Sequence, residues 1–221
     1  IMCGVAGFLI DSEFSSSMNY DAVIKKMTDS IKHRGPDDSG RWNDFSDGIF
    51  LGHRRLSILD LSEAGHQPMQ SLNGRYVIAF NGEIYNHLEI RSEIEKNNQN
   101  IYWRGHSDTE TILRAFETFG IENSIKKFIG MFAFSLWDKK NKILTLARDR
   151  LGEKPMYYGW QNTTNGRVFL FGSELKAFKS FPNIDLKVDR GSLSLFLRHA
   201  YIPNPHSIYE NIFSLEPGQI L

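Results

Sequence analysis

The chain has 221 residues, enough for one large or two small domains, and 41% of them are apolar, enough to build a core. Lys plus Arg and Asp plus Glu both number 26, which argues against nucleic acid or an anionic membrane as the main partner. One cysteine excludes an intrachain disulfide and fits a reducing cytoplasm, and no segment approaches the length of a transmembrane span.

Taken in chain order, Cys3 to Ile10 reads as a buried strand; no basic segment precedes its apolar run, so it is not a secretory signal. Tyr20 to Lys32 carries Val23, Ile24, Met27 and Ile31 at helical spacing, and Gly35-Pro36 stops it. Ile49 to Arg54, Leu56 to Asp60 and Arg75 to Asn81 read as strands. Leu88 to Asn97 and Asp108 to Phe119 read as helices. Met131 to Trp137 and Lys142 to Arg148 form a predicted hairpin around a polar turn, and Met156 to Trp160 with Arg167 to Phe171 a second pair. Ser173 to Lys179 and Arg190 to His199 read as helices, and the tail from Tyr201, with Pro203, Pro205 and Pro217, as an extended connector. Two strand-rich regions flanked by helices predict stacked sheets under helical layers.

The residue that stands out is Cys3. A nucleophile that uses its own α-amino group as base must sit at the N-terminus, and a free α-amine titrates near pH 8, suited to proton transfer around neutrality. The competing reading is a small, inert thiol in an apolar strand. Four further clusters have two readings each. Lys32-His33-Arg34-Gly35-Pro36-Asp37-Asp38 is either a site or an ordinary loop in which Gly35 permits a left-handed backbone. Arg54-Arg55 is either a fork for a carboxylate or a solvated basic patch, and no ligand spacing beside His53 suggests a metal. Asn81-Gly82 is either an Asn-Gly hairpin turn or an oxyanion hole made of the Asn81 amide and the Gly82 N–H, each donor worth roughly 3–4 kcal/mol. Ser107 with Glu110 fits a capping box, while Asp108 could pair with a substrate ammonium.

Together these motifs resemble the glutaminase domain of glutamine-hydrolysing asparagine synthetases, which are N-terminal-nucleophile amidotransferases. The likeness spans Cys3, His33 to Asp37, Arg55 to Ile58, Asn81 to Asn86, Ser107-Asp108, Gly130 to Phe134, Arg148 to Pro155 and Ser173 to Lys176. It implies an α+β fold, a four-layer αββα sandwich of two mainly antiparallel sheets. It implies that Cys3 attacks the side-chain amide of L-glutamine, with Asn81 and Gly82 as oxyanion hole. Arg55 would hold the substrate carboxylate and Asp108 its ammonium. Leu56, Ser57, Ile58, Leu59 and Glu83 would complete the binding site, and no metal is implied.

In the resembled family the cysteine becomes the first residue of the mature enzyme, whereas here Ile1-Met2 precede it. With both retained, the Cys3 nitrogen is an amide and cannot act as base. The family also continues into a synthetase domain that uses ATP and Mg to amidate aspartate; no glycine-rich phosphate loop occurs in these 221 residues. The expected organisation is a glutaminase domain over residues 1–190 and a connecting segment over 191–221, with that synthetase domain as partner and a homodimer left open. Two rivals remain at this stage: the same chemistry serving a sugar acid or other carboxylate in a polysaccharide or antibiotic pathway, and a non-catalytic homologue.

Overall fold

The computed structural model describes residues 3–11, 18–57, 62–97, 101–164 and 166–221. Directly after Cys3 comes β1 (Gly4–Ile10), and α1 (Tyr20–Ser30) opens at Asn19, whose side chain accepts the Ala22 N–H at 3.0 Å. The α-helix stops short of the predicted Lys32, because Lys32–Arg34 tightens into a 3-10 turn. Gly35 is extended at φ −144° and does not use the left-handed freedom of glycine; a Cβ there would lie 2.4 Å from the Arg54 carbonyl carbon, so the glycine serves close approach.

Next come β2 (Asp38–Asp44), read as loop in the sequence, and β3 (Ile49–Arg55). Leu56 and Ser57 are irregular where a strand was predicted, and 58–60 lie outside the described residues. Then follow β4 (Met69–Gln70), β5 (Tyr76–Ile84), α2 (His87–Asn97), α3 (Asp108–Phe119) and the unpredicted α4 (Ile121–Lys127). The predicted pairs appear as β6 (Gly130–Asp138) with β7 (Ile143–Arg148) and β8 (Tyr157–Thr163) with β9 (Gly166–Gly172). The Ser173–Lys179 prediction shrinks to α5 (Leu175–Phe178), and α6 (Arg190–His199) and β10 (Phe213–Ser214) complete the chain.

Among the described residues the strands form two antiparallel sheets, six-stranded in the order β10-β8-β9-β1-β3-β2 and four-stranded in the order β4-β5-β6-β7. Side chains alternate across each strand, and that alternation builds three apolar layers. Val5, Leu51, Val77, Ala79, Ala133 and Phe171 meet between the sheets. Phe8, Phe50 and Leu170 turn outward against Ile24 and Met27 of α1 and Phe178 of α5. Ile78, Phe80 and Phe134 turn outward on the other side, against Ile90 of α2 and Ile112 and Phe116 of α3. The result is a four-layer αββα sandwich.

The predicted connector folds back onto this body. Phe213 and Ser214 pair with β8, and Leu146 and Leu221 exchange two backbone hydrogen bonds of 2.8 Å along the outer edge of β7. No helix among the described residues is long and apolar enough to cross a membrane.

Candidate active site

The site lies where the two sheets open at one end. On β3 the odd residues Ile49 and Leu51 face the second sheet, and the same parity carries His53 and Arg55 inward. On β5, Val77 and Ala79 face the first sheet, and the same parity carries Asn81 and Glu83 toward the mouth. Cys3, just before β1, meets the end of β3: its Sγ accepts the Leu56 N–H at 3.3 Å and lies 3.6 Å from the Leu56 carbonyl. One cleft is lined by Cys3, Arg55, Leu56, Asn81, Gly82, Glu83 and Asp108. Ser57 is placed in a neighbouring depression instead, with its N–H on Asp37 at 2.8 Å; Ile58 and Leu59 lie outside the described residues.

Asn81 and Gly82 are not a turn. They sit inside β5, paired with Ala133 and Phe132, and a Cβ at Gly82 would fall 2.2 Å from the Met131 carbonyl oxygen. The even residues of β5 direct their backbone polar groups away from β6. Tyr76 bonds Ser71 there, while odd-numbered Tyr85 bonds Ile129 on the β6 side. Beyond β4 that edge has no strand neighbour among the described residues, and side chains cap it. The Phe80 N–H donates to Gln67 Oε1 at 2.7 Å and the Ile84 N–H to Asp108 Oδ2 at 2.9 Å. The Gly82 N–H lies between these two on the open edge. The Asn81 side chain is 1% exposed, and its Nδ2 has no hydrogen-bond partner among the described residues. A buried unpaired donor costs about 1–3 kcal/mol unless a ligand satisfies it.

Arg55 is buried and donates to the Ser62 carbonyl at 3.0 Å; a Cβ at Gly65 would fall 2.0 Å from its Nη2, so that glycine makes room for the guanidinium. Asp108 is 5% exposed, and burial pushes its carboxyl up to about 6 despite the Ile84 and Thr109 N–H donors. Its helix begins at Ser107, whose Oγ accepts the Glu110 N–H at 3.3 Å. The expected capping box is only half made, because Glu110 turns to the Arg104 and Gly105 N–H groups at 2.8 and 3.0 Å. Burial pushes the Cys3 thiol up, opposed by the Leu56 N–H and Arg55. His53 donates through Nε2 to the Phe80 carbonyl at 2.8 Å, and burial pulls it down to about 4, so it is a neutral packing histidine as the absent ligand spacing suggested.

Two lining residues escaped the sequence reading. Gln67 caps Phe80 through Oε1 and holds the Thr109 hydroxyl through Nε2 at 3.3 Å. Nothing local in the sequence marks it. Lys154 is 3% exposed and reaches Met131 Sδ at 2.9 Å from a loop pinned by Asp149, which accepts the Glu153 and Lys154 N–H groups. Its signal was present, as the one lysine of the Arg148 to Pro155 motif, without an assigned role.

The glutamine amidotransferase domain family matches residues 2–221. The chain belongs to this family. It is 39% identical to a putative glutamine-hydrolysing asparagine synthetase 2 of Methanocaldococcus jannaschii, over 100% of this chain and 44% of the relative. It is 36% identical to glutamine-hydrolysing asparagine synthetase 1 of Bacillus subtilis, over 98% of this chain and 33% of the relative. It is 35% identical to amidase chry2 of Gibberella zeae, over 100% of this chain and 32% of that protein. The amidotransferase chain therefore spans less than half the length of these relatives. Its fold is that of the glutamine phosphoribosylpyrophosphate amidotransferase of B. subtilis, with a TM-score of 0.62 at 20% identity over 86% of this chain and 46% of that one.

Proposed function

We propose that this amidotransferase domain hydrolyses L-glutamine to glutamate and ammonia. Cys3 Sγ attacks the side-chain amide carbon, and the carbonyl oxygen becomes an oxyanion between Asn81 Nδ2 and the Gly82 N–H. The C–N bond then breaks, ammonia leaves, and water hydrolyses the thioester to glutamate. The α-amine of Cys3, free once residues 1–2 are removed, takes the thiol proton and passes it to the departing nitrogen. Arg55 holds the substrate carboxylate by two parallel hydrogen bonds and Asp108 its ammonium, with Glu83 beside it. The observation that carries this reading is the unpaired, buried Asn81 amide beside the open Gly82 N–H in the cleft that holds the thiol.

The test is glutamate release, without ATP, by protein beginning at Cys3 and by its Cys3→Ala variant. Release by the first and not the second is expected; equal rates would remove Cys3 from the reaction. The names and greater length of the asparagine synthetase relatives support a linked synthetase domain that places the ammonia on aspartate; its use of ATP and Mg2+ and a cytoplasmic location belong to the same proposal. One relative at nearly the same identity is named an amidase and not an asparagine synthetase, which leaves room for a second reading, the same glutaminase chemistry serving another carboxylate.

A further inference from the structure

Behind Asp108, one chain of hydrogen bonds runs from β5, the strand of the oxyanion donors, to the first turn of α3. Its polarity is fixed at one end. The Phe80 N–H can only donate, so Gln67 turns Oε1 to it at 2.7 Å and Nε2 to Thr109 Oγ1 at 3.3 Å. The Thr109 oxygen is thereby an acceptor, and its own hydrogen points to Asp108 Oδ1, 3.5 Å away. No other acceptor takes that hydroxyl among the described residues. Asp108 Oδ2 takes the Ile84 N–H at 2.9 Å from the same strand edge. Gln67, Thr109 and Asp108 are all buried, so the chain works away from bulk water, where each of its bonds is felt more strongly. Gly40 makes room for it, since a Cβ there would fall 1.9 Å from the Gln67 carbonyl oxygen.

We infer that Thr109 is a positioning residue for substrate recognition: its hydroxyl, aimed by Gln67, holds the Asp108 carboxylate as an anion for the ammonium of glutamine. This deepens the glutaminase reading and rests on it. Burial opposes charge on Asp108, and the Glu83 carboxylate of β5 opposes it further. Hydrogen-bond donors to the charged form act against both. Two of these donors are the backbone N–H groups of Ile84 and Thr109, which no side-chain replacement removes. The Thr109 hydroxyl is the donor that a replacement can take away. Cys3, Arg55, Glu83 and Lys154, the other titratable groups lining the cleft, are the same in all proteins compared within one assay, so differences report the hydroxyl alone.

The test follows affinity for glutamine against pH in Thr109→Val, which keeps the shape and loses the hydroxyl, and in Thr109→Ser, which keeps the hydroxyl. KM is read from hydrolysis by protein beginning at Cys3, and Kd from calorimetry on its Cys3→Ala form. The pH below which glutamine binding weakens is expected to rise by about half a unit to one unit in Thr109→Val, the net worth of one hydrogen bond expressed as a pKa. Thr109→Ser should keep the wild-type midpoint, and kcat at the pH optimum should stay within about twofold in both, because the hydroxyl acts on binding. Glutaramate, which is glutamine without its α-amine, should show no weakening on acidification in any of them. An unmoved midpoint in Thr109→Val overturns the inference, and so does an equal shift with glutaramate or a loss confined to kcat. If Thr109→Val does not fold, Thr109→Ala decides by the same sign. If protein beginning at Cys3 does not hydrolyse glutamine while its Cys3→Ala form binds it, the function fails and the Kd midpoint still decides the inference. If neither form recognises glutamine, both fall.

Discussion

At the scale of single residues, one polar group of the cleft, the Asn81 side-chain amide, bonds nothing among the described residues. Asn81→Ala removes a buried donor whose Nδ2 bonds nothing else among the described residues, so the thermal midpoint should change little. Its kcat should fall about 10²–10³-fold, the loss typical of one oxyanion donor. A large loss of midpoint with a small loss of kcat would return Asn81 to a structural role. Asp108 carries a pH signature. Its carboxyl, pushed up to about 6 by burial, sits above the ordinary range near 3.9. The unfolded chain therefore binds fewer protons than the folded one between about pH 4 and 6, and this group's contribution to stability declines as pH rises through that window. The KM for glutamine should rise as pH falls below about 6, when the carboxyl loses its charge. Asp108→Asn should show a high KM at every pH yet gain stability at pH 7, of order 1–2 kcal/mol. A variant that binds glutamine like the wild type would separate Asp108 from the ammonium. Cys3, Arg55, Asn81 and Asp108 were singled out by the family resemblance rather than by each motif alone, and the structure brings all four into one cleft. The place of Asn81 inside a strand was not legible, because Asn-Gly has a strong local preference for turns that only long-range pairing with β6 overrides.

At the scale of elements, what matters is how β5 ends. Its edge carries three successive outward N–H groups, of which Gln67 and Asp108 take the outer two. Gly82 is needed there for space more than for conformation. In Gly82→Ala the added Cβ would meet the Met131 carbonyl at 2.2 Å, and β5 and β6 must separate. The expected result is a destabilisation of roughly 1–3 kcal/mol, the usual cost of overpacking, together with reduced kcat. Wild-type values for both in an unfolding curve and a rate assay would contradict the close strand contact. Elements with one apolar face, α1 and α3 above all, were legible from periodicity. The edge strand β2 was missed because Asp38-Ser39-Gly40 has loop composition and takes its conformation from β3. The short helix α4 was missed because the residue that precedes it, Gly120 at φ +79°, offers no side-chain cap.

At the scale of the whole molecule, the layered plan was legible because the strand runs and the helical runs are separate in sequence. The strand order was not, since β1 lies between β3, which it meets across 40–50 residues of sequence, and β9, which it meets across more than 150. The fold-back of residues 215–221 was hidden for the same reason: three prolines in the tail suggested a connector. Those last residues pair with the outer edge of β7, so they stand where a foreign strand would otherwise bind. A chain truncated after Glu216 should keep its thiol cleft but expose β7, whose Ile143 is already 54% exposed. Light scattering should show concentration-dependent self-association of that truncated chain and none of the chain that retains residues 217–221, since an unguarded strand edge recruits another. Residues 217–221 would then guard that sheet edge against aggregation, a task separate from the chemistry of the cleft.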